Sequence, residues 1–135
     1  MDMLERLRQS ASSIPEVRLA VLFGSTARGM ATRRSDVDLG LSVAPDTSAV
    51  RFKVERELER AAGRSLHVVF LGEAPPLLRF EISKDGVLLF QRQDDLWRRF
   101  KERALIDWWD WAPSERFITA AAVRRLRERV AHGQA

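Results

Sequence analysis

The spacing of apolar positions along this chain changes period several times, and each change marks an element. Between Asp2 and Ser13, the residues Met3, Leu4, Leu7, Ala11 and Ile14 recur at helical spacing, which gathers them on one face of an amphipathic helix ended near Pro15. Val17 to Phe23 is apolar and β-prone and predicts a strand that stops at Gly24-Ser25, where a short helix can begin. Val37-Asp38-Leu39-Gly40-Leu41-Ser42-Val43 alternates, so a second strand is expected with one apolar and one polar face.

Pro45-Asp46-Thr47-Ser48 offers an N-cap to a helix with a buried stripe of Val50, Val54, Leu58 and Ala61 and a stop at Gly63. Leu66 to Leu71 reads as a short, buried third strand. Pro75 and Pro76 open a short helix through Leu77, Leu78 and Ile82, and Asp85-Gly86 turns into a fourth strand, Val87 to Phe90. This interleaving of helices and strands predicts an α/β (α+β) sheet domain over residues 1–92. Residues 93–135 read as a helical extension packed on the same domain. In it Trp97, Phe100, Ala104, Trp108 and Trp111 share a stripe, Pro113 interrupts, and Ile118, Ala122, Leu126 and Val130 mark a last helix. Trp109 and Leu105 fall off the stripe and form a candidate exposed contact patch.

Composition narrows the chemistry. A chain of 135 residues suits one compact domain and leaves a large substrate mostly outside it. With no cysteine and only two histidines, a disulfide, a thiolate site or a His-rich zinc centre is excluded, so any metal must be held chiefly by carboxylate oxygen. No apolar run reaches membrane-spanning length and the N-terminus lacks the pattern of a signal peptide, so no membrane contact and a cytoplasmic location are expected. The net charge of +4 is carried late in the chain by arginines interleaved with carboxylates at helical spacing. That pattern fits solvated helix faces, and because no groove-reading motif accompanies it, nucleic-acid contact is expected only indirectly.

The informative stretch is Leu22-Phe23-Gly24-Ser25-Thr26-Ala27-Arg28-Gly29, followed by Ser35-Asp36-Val37-Asp38-Leu39. A strand ending in Gly-Ser at a helix start brings backbone N–H groups and a hydroxyl close to phosphate. Gly24 permits the approach, Ser25 grips the phosphate, and Arg28, one turn later, supports a triphosphate or an acidic residue of the loop. Asp36 and Asp38, two residues apart in a strand, project from the same face. Paired carboxylates suit Mg²⁺, which prefers oxygen ligands and can bridge a nucleoside triphosphate such as ATP.

Taken in order, strand, Gly-Ser, Arg-Gly, loop, Ser-Asp-x-Asp-Leu, strand, the chain resembles the polymerase β-type nucleotidyltransferases, specifically their minimal stand-alone members, and the likeness runs to about Phe90. The resemblance implies phosphate binding by Gly24 and Ser25 and metal binding by Asp36 and Asp38. It also implies a third carboxylate on the next strand, which helps bind metal and accepts the proton of the attacking hydroxyl; at that position stands His67. By strand parity His67 lies opposite Leu66, Val68 and Phe70, on the side an active-site residue needs. Glu73 and Glu81 are other carboxylates within reach of some arrangement.

Stand-alone members of this family commonly pair, as antitoxins, with a helical HEPN-domain toxin. The resemblance therefore implies transfer of a nucleoside monophosphate, AMP from ATP with Mg²⁺, to a hydroxyl of such a partner. Replacement of the third carboxylate by His67 keeps a second reading open, a catalytically degenerate antitoxin that neutralises its partner by contact.

Overall fold

In the computed structural model, residues 1–24, 37–111, 124, 125 and 127–129 are described. Helix α1 (Met3–Ser13) begins at Asp2, whose carboxylate accepts from the Glu5 N–H at 2.8 Å. Strands β1 (Val17–Phe23) and β2 (Val37–Val43) follow. Helix α2 (Ser48–Ala62) is capped by the Thr47 hydroxyl and ended by Gly63 in the left-handed conformation, φ 70°. Then come β3 (Leu66–Phe70), α3 (Pro76–Asp85) with Pro at its first turn, β4 (Val87–Gln91) and α4 (Leu96–Trp111).

The strands form one mixed sheet in the order β3-β2-β1-β4, with β2 and β3 parallel and the other neighbours antiparallel. Helices cover both faces because both faces are apolar. On one, Ala20, Leu22, Leu39, Leu41 and Leu89 meet Leu7 and Ala11 of α1 and Val54 and Leu58 of α2. On the other, Leu19, Val21, Phe23, Val69 and Leu71 meet Leu78 and Ile82 of α3, with Trp97 and Phe100 of α4 packed against them.

Two details depart from the expectations above. The last buried residue of the α2 stripe is Ala62, not Ala61: from Leu58, the four-residue step rather than the three-residue one keeps the side chain over the sheet. Among the described residues strand β3 is an edge strand with a neighbour on one side alone, and only Leu66 and Val69 of it are buried. In α4, Ala104 is buried, while Trp109, at 67% exposure, Ile106 and Leu105 face outward, as expected for Trp109 and Leu105. The last predicted helix and Pro113 lie outside the described residues, apart from five positions of that helix.

Candidate functional site

Asp38 is the side chain around which the site is built. In β2, Val37, Leu39, Leu41 and Val43 point into the core beneath α1 and α2, so period-two alternation sends Asp38, Gly40 and Ser42 to the other face. Asp38 is paired in register with Phe23 of β1 on one side and with His67 of β3 on the other. The carboxylate thus lies where β1 leaves the sheet and β2 and β3 enter it.

Gly24, the residue after β1, has φ 67°. A Cβ there would overlap Oδ2 of Asp38 and stand 3.1 Å from its Cγ. Gly24 is thus required twice: for a left-handed backbone that side chains disfavour, and for the space the Asp38 carboxylate occupies. Similarly, the absence of a side chain at Gly40 leaves room for Leu71, whose Cδ2 would lie 2.8 Å from a Cβ.

On the opposite side of Asp38, Nδ1 of His67 stands 3.6 Å from Oδ1. Both side chains are about four-fifths buried, at 19% exposure for Asp38 and 23% for His67. At that separation the two are longer than a direct hydrogen bond. A carboxylate beside an imidazole can share a cation or accept a proton from a hydroxyl that approaches them.

Of the residues singled out in the sequence, the structure brings together Gly24, Asp38 and His67. Ser25, Arg28 and Asp36 lie outside the described residues. Glu73 and Glu81 are engaged by arginines. Glu73 pairs at 2.8 Å with Arg51, whose guanidinium also covers the Phe70 ring and binds Asp46. Arg51 thereby holds the Asp46 carboxyl below its usual range. Glu81 meets Arg127 at 3.4 Å, and burial, followed by its contact with Asp85, pushes its carboxyl above the ordinary value. One feature had no signal in the sequence: a cavity of about 200 Å³ lined by Arg18, Leu19, Ser42, Leu71, Arg79 and Phe100, on the same face of the sheet as Asp38 and toward the other end of β2. Its wall residues come from five separate segments, which no local pattern connects.

Residues 5–95 match the family described as "Polymerase beta, Nucleotidyltransferase". The chain belongs to this nucleotidyltransferase family. The matched segment contains all of Gly24, Asp38 and His67, and it ends before α4. Among solved structures, a chain of a toxin–antitoxin crystallised with AMP-PNP superposes with a TM-score of 0.70 at 22% identity, over 84% of this chain and 92% of that one. A chain of the MntA–HepT toxin–antitoxin gives 0.63 at 19% identity, covering 84% and 91%. A chain of the tri-AMPylated Shewanella oneidensis HEPN toxin in complex with MNT antitoxin gives 0.62 at 18%, covering 84% and 92%. At these identities the likeness establishes a shared fold, the polymerase β-type mixed sheet with its flanking helices. No curated protein matches the sequence.

The nucleotidyltransferase family implies a divalent cation, and the donor chemistry around Asp38 fits one. Asp38 supplies carboxylate oxygen, His67 an imidazole nitrogen on the adjacent strand, and Gly24 keeps the near side free of a side chain. Among the described residues no third His, Cys, Asp or Glu joins them; the other carboxylate of the motif is Asp36. No described helix is long and apolar enough to cross a membrane.

Proposed function

We propose that this chain transfers AMP from ATP to a hydroxyl of a partner protein, and that it is the antitoxin of a HEPN/MNT toxin–antitoxin pair. The observation that carries the reading is the convergence of Gly24, Asp38 and His67 at one end of the sheet, within a segment that matches the nucleotidyltransferase family. Structures of toxin–antitoxin complexes among those most similar to it support the choice of partner.

In this reading the Gly24 backbone and the Ser25 hydroxyl hold the phosphates, and Arg28 supports the triphosphate. Asp36 and Asp38 hold Mg²⁺, which when bound neutralises phosphate charge and makes the attacking hydroxyl more acidic. The hydroxyl oxygen of the partner bonds to the α-phosphorus, the bond to the β-phosphate oxygen breaks, and pyrophosphate leaves. His67 is placed beside Asp38 to accept the hydroxyl proton.

The test is transfer of label from α-labelled ATP to the protein encoded next to this chain, which on this reading is a HEPN-type toxin. Wild type labels it, while Asp36→Asn with Asp38→Asn does not. In parallel, ATP with Mg²⁺ raises the melting temperature of wild type by mass action, and Ser25→Ala weakens the shift. Equal melting shifts for wild type and the double aspartate variant would overturn the metal–nucleotide site.

His67 itself favours a second reading, a degenerate transferase that neutralises by contact, since an imidazole brings no negative charge to the place of a carboxylate. In that case no label is transferred by wild type or by His67→Asp, and the aspartate variants still neutralise the partner.

A further inference from the structure

We infer that the cavity between the sheet and helices α3 and α4 binds a small organic oxyanion, a carboxylate or phosphate on a short apolar body, gripped by Arg18, Ser42 and Arg79. This site is independent of the transferase reading above. Ser42 lies four residues beyond Asp38 in β2, about 13 Å away by the rise of a strand. Between them stands Leu71, whose side chain fills the space over Gly40 and forms a wall of the cavity.

The cationic end is made by a β-bulge. Val17 pairs with Val43 and Leu19 with Ser42, so Arg18 is the extra residue of β1. Strict alternation would turn Arg18 and Leu19 to opposite faces, yet both line the cavity, because the bulge re-aims one of them. Among the described residues neither the Arg18 guanidinium nor the Ser42 hydroxyl has a hydrogen-bond or ion-pair partner. Arg79 lies over the Phe100 ring at 5.6 Å and gives Nη1 to Asp107 at 2.9 Å, but its buried Nε meets no acceptor. Asp107 is also shared with Arg103 at 3.1 Å, so its one negative charge leaves the cavity net positive. A buried charged donor without an acceptor is costly, and the planar guanidinium fork matches carboxylate and phosphate oxygens. The opposite wall is apolar, formed by Leu19, Leu71 and Phe100, and the volume of about 200 Å³ suits a small anion rather than a nucleoside triphosphate.

The experiment is a titration of the ¹⁵N-labelled full chain with benzoate, phenyl phosphate and inorganic phosphate, read at the Nε–H resonance of Arg79. One of the two organic probes saturates that resonance with a dissociation constant below about 1 mM, and the preferred one identifies the head group. Inorganic phosphate binds at least about tenfold more weakly, because it leaves the apolar wall uncovered. Arg18→Gln weakens the preferred probe at least about tenfold, and Ser42→Ala, a nearly isosteric change that keeps the chain folded, at least about threefold. Arg98→Gln, which removes a charge from an exposed pair on α4, changes nothing, and AMP-PNP with Mg²⁺ leaves the probe bound. The inference is overturned if neither organic probe saturates, or if affinity is unchanged in both Arg18→Gln and Ser42→Ala. Inorganic phosphate binding as tightly as the organic probes overturns the apolar body, and displacement by AMP-PNP overturns a site separate from that of the nucleotide.

Discussion

The two faces of the sheet are made of different material. Beneath α1 and α2 the fully buried residues are aliphatic, with Phe70 and Phe90 only partly buried against them, and the polar groups nearby serve to close the backbone. Arg92 donates to the carbonyls of Ala11, Ser12, Ile14 and Val17 at 2.7–3.2 Å, and Arg6 donates to that of Ala61 at 2.9 Å. Beneath α3 and α4 the buried residues are mostly aliphatic as well, but aromatic and charged side chains of the two helices pack over them. Phe80 stacks on Trp108 at 4.8 Å, Trp97 on Phe100 at 5.7 Å, and Arg79 pairs with Asp107 at 2.9 Å. Asp38 and His67 face this second side. A dry aliphatic face tolerates no group in need of a partner, so the side chains that can do chemistry collect on the face whose neighbours can solvate or pair them.

That contrast makes the first face the place where substitutions cost stability without touching the site. Leu58→Ala, at a fully buried position of α2, is expected to lower the unfolding free energy by about 3 kcal/mol. The ATP-dependent melting shift persists in the protein that remains folded. Chemical denaturation with and without ATP measures both, and loss of the shift at equal folded fraction would break the separation of the faces.

Gly24→Ala is expected to cost about 1–3 kcal/mol, from a left-handed backbone and from the collision with Asp38. Unlike Leu58→Ala it should also abolish the melting shift. A variant that binds ATP with Mg²⁺ as wild type does would show that Gly24 serves only the turn.

Trp108→Ala removes a half-buried stack between α3 and α4 and should cost about 2 kcal/mol. Nucleotide binding is unaffected if α4 is scaffold and falls if it shapes the site; calorimetric titration with AMP-PNP separates the two.

Glu81 gives a pH dependence confined to the second face. Its folded carboxyl titrates above the ordinary 4.5, mainly through burial. A raised acid binds its proton more tightly in the folded chain, so its contribution to stability is full below about 4.5 and is lost as pH rises through the folded value. Relative to wild type, Glu81→Gln should therefore gain stability from acid to neutral pH. A difference that does not change with pH would mean that Arg127 cancels the effect of burial, and one of opposite sign that it outweighs it. The smallest effect is expected at exposed Trp109, where Trp109→Ser should alter stability by less than about 0.5 kcal/mol in thermal melts.

Much of this was legible in the chain. Met3, Leu7 and Ala11 repeat at helical spacing and Val37, Leu39 and Leu41 alternate, and these periods are local consequences of burying one face. The Pro45-Asp46-Thr47-Ser48 stretch and Gly63 could be read as caps because capping is decided within one turn of helix, and within that stretch the structure selects Thr47. The parity of Asp38 followed in the same way. What could not be read was anything that depends on two strands meeting. The 3.6 Å approach of His67 to Asp38 requires the parallel register of β2 and β3, and the overlap of a Gly24 side chain with Asp38 requires the antiparallel register of β1 and β2.

By itself, then, the sequence determined the elements, their buried faces, and the residue types available for phosphate and metal, because these follow from spacing and side-chain chemistry along a single segment. The family resemblance already implied that Gly24, Asp38 and His67 share a site; only the tertiary structure decided the approach of Asp38 to Gly24 and His67, that Glu73 and Glu81 are held by Arg51 and Arg127, and that β3 is an edge among the described strands, leaving His67 partly open. Those outcomes depend on strand order and register, which are fixed by the simultaneous burial of both faces of the sheet rather than by any one stretch of the chain.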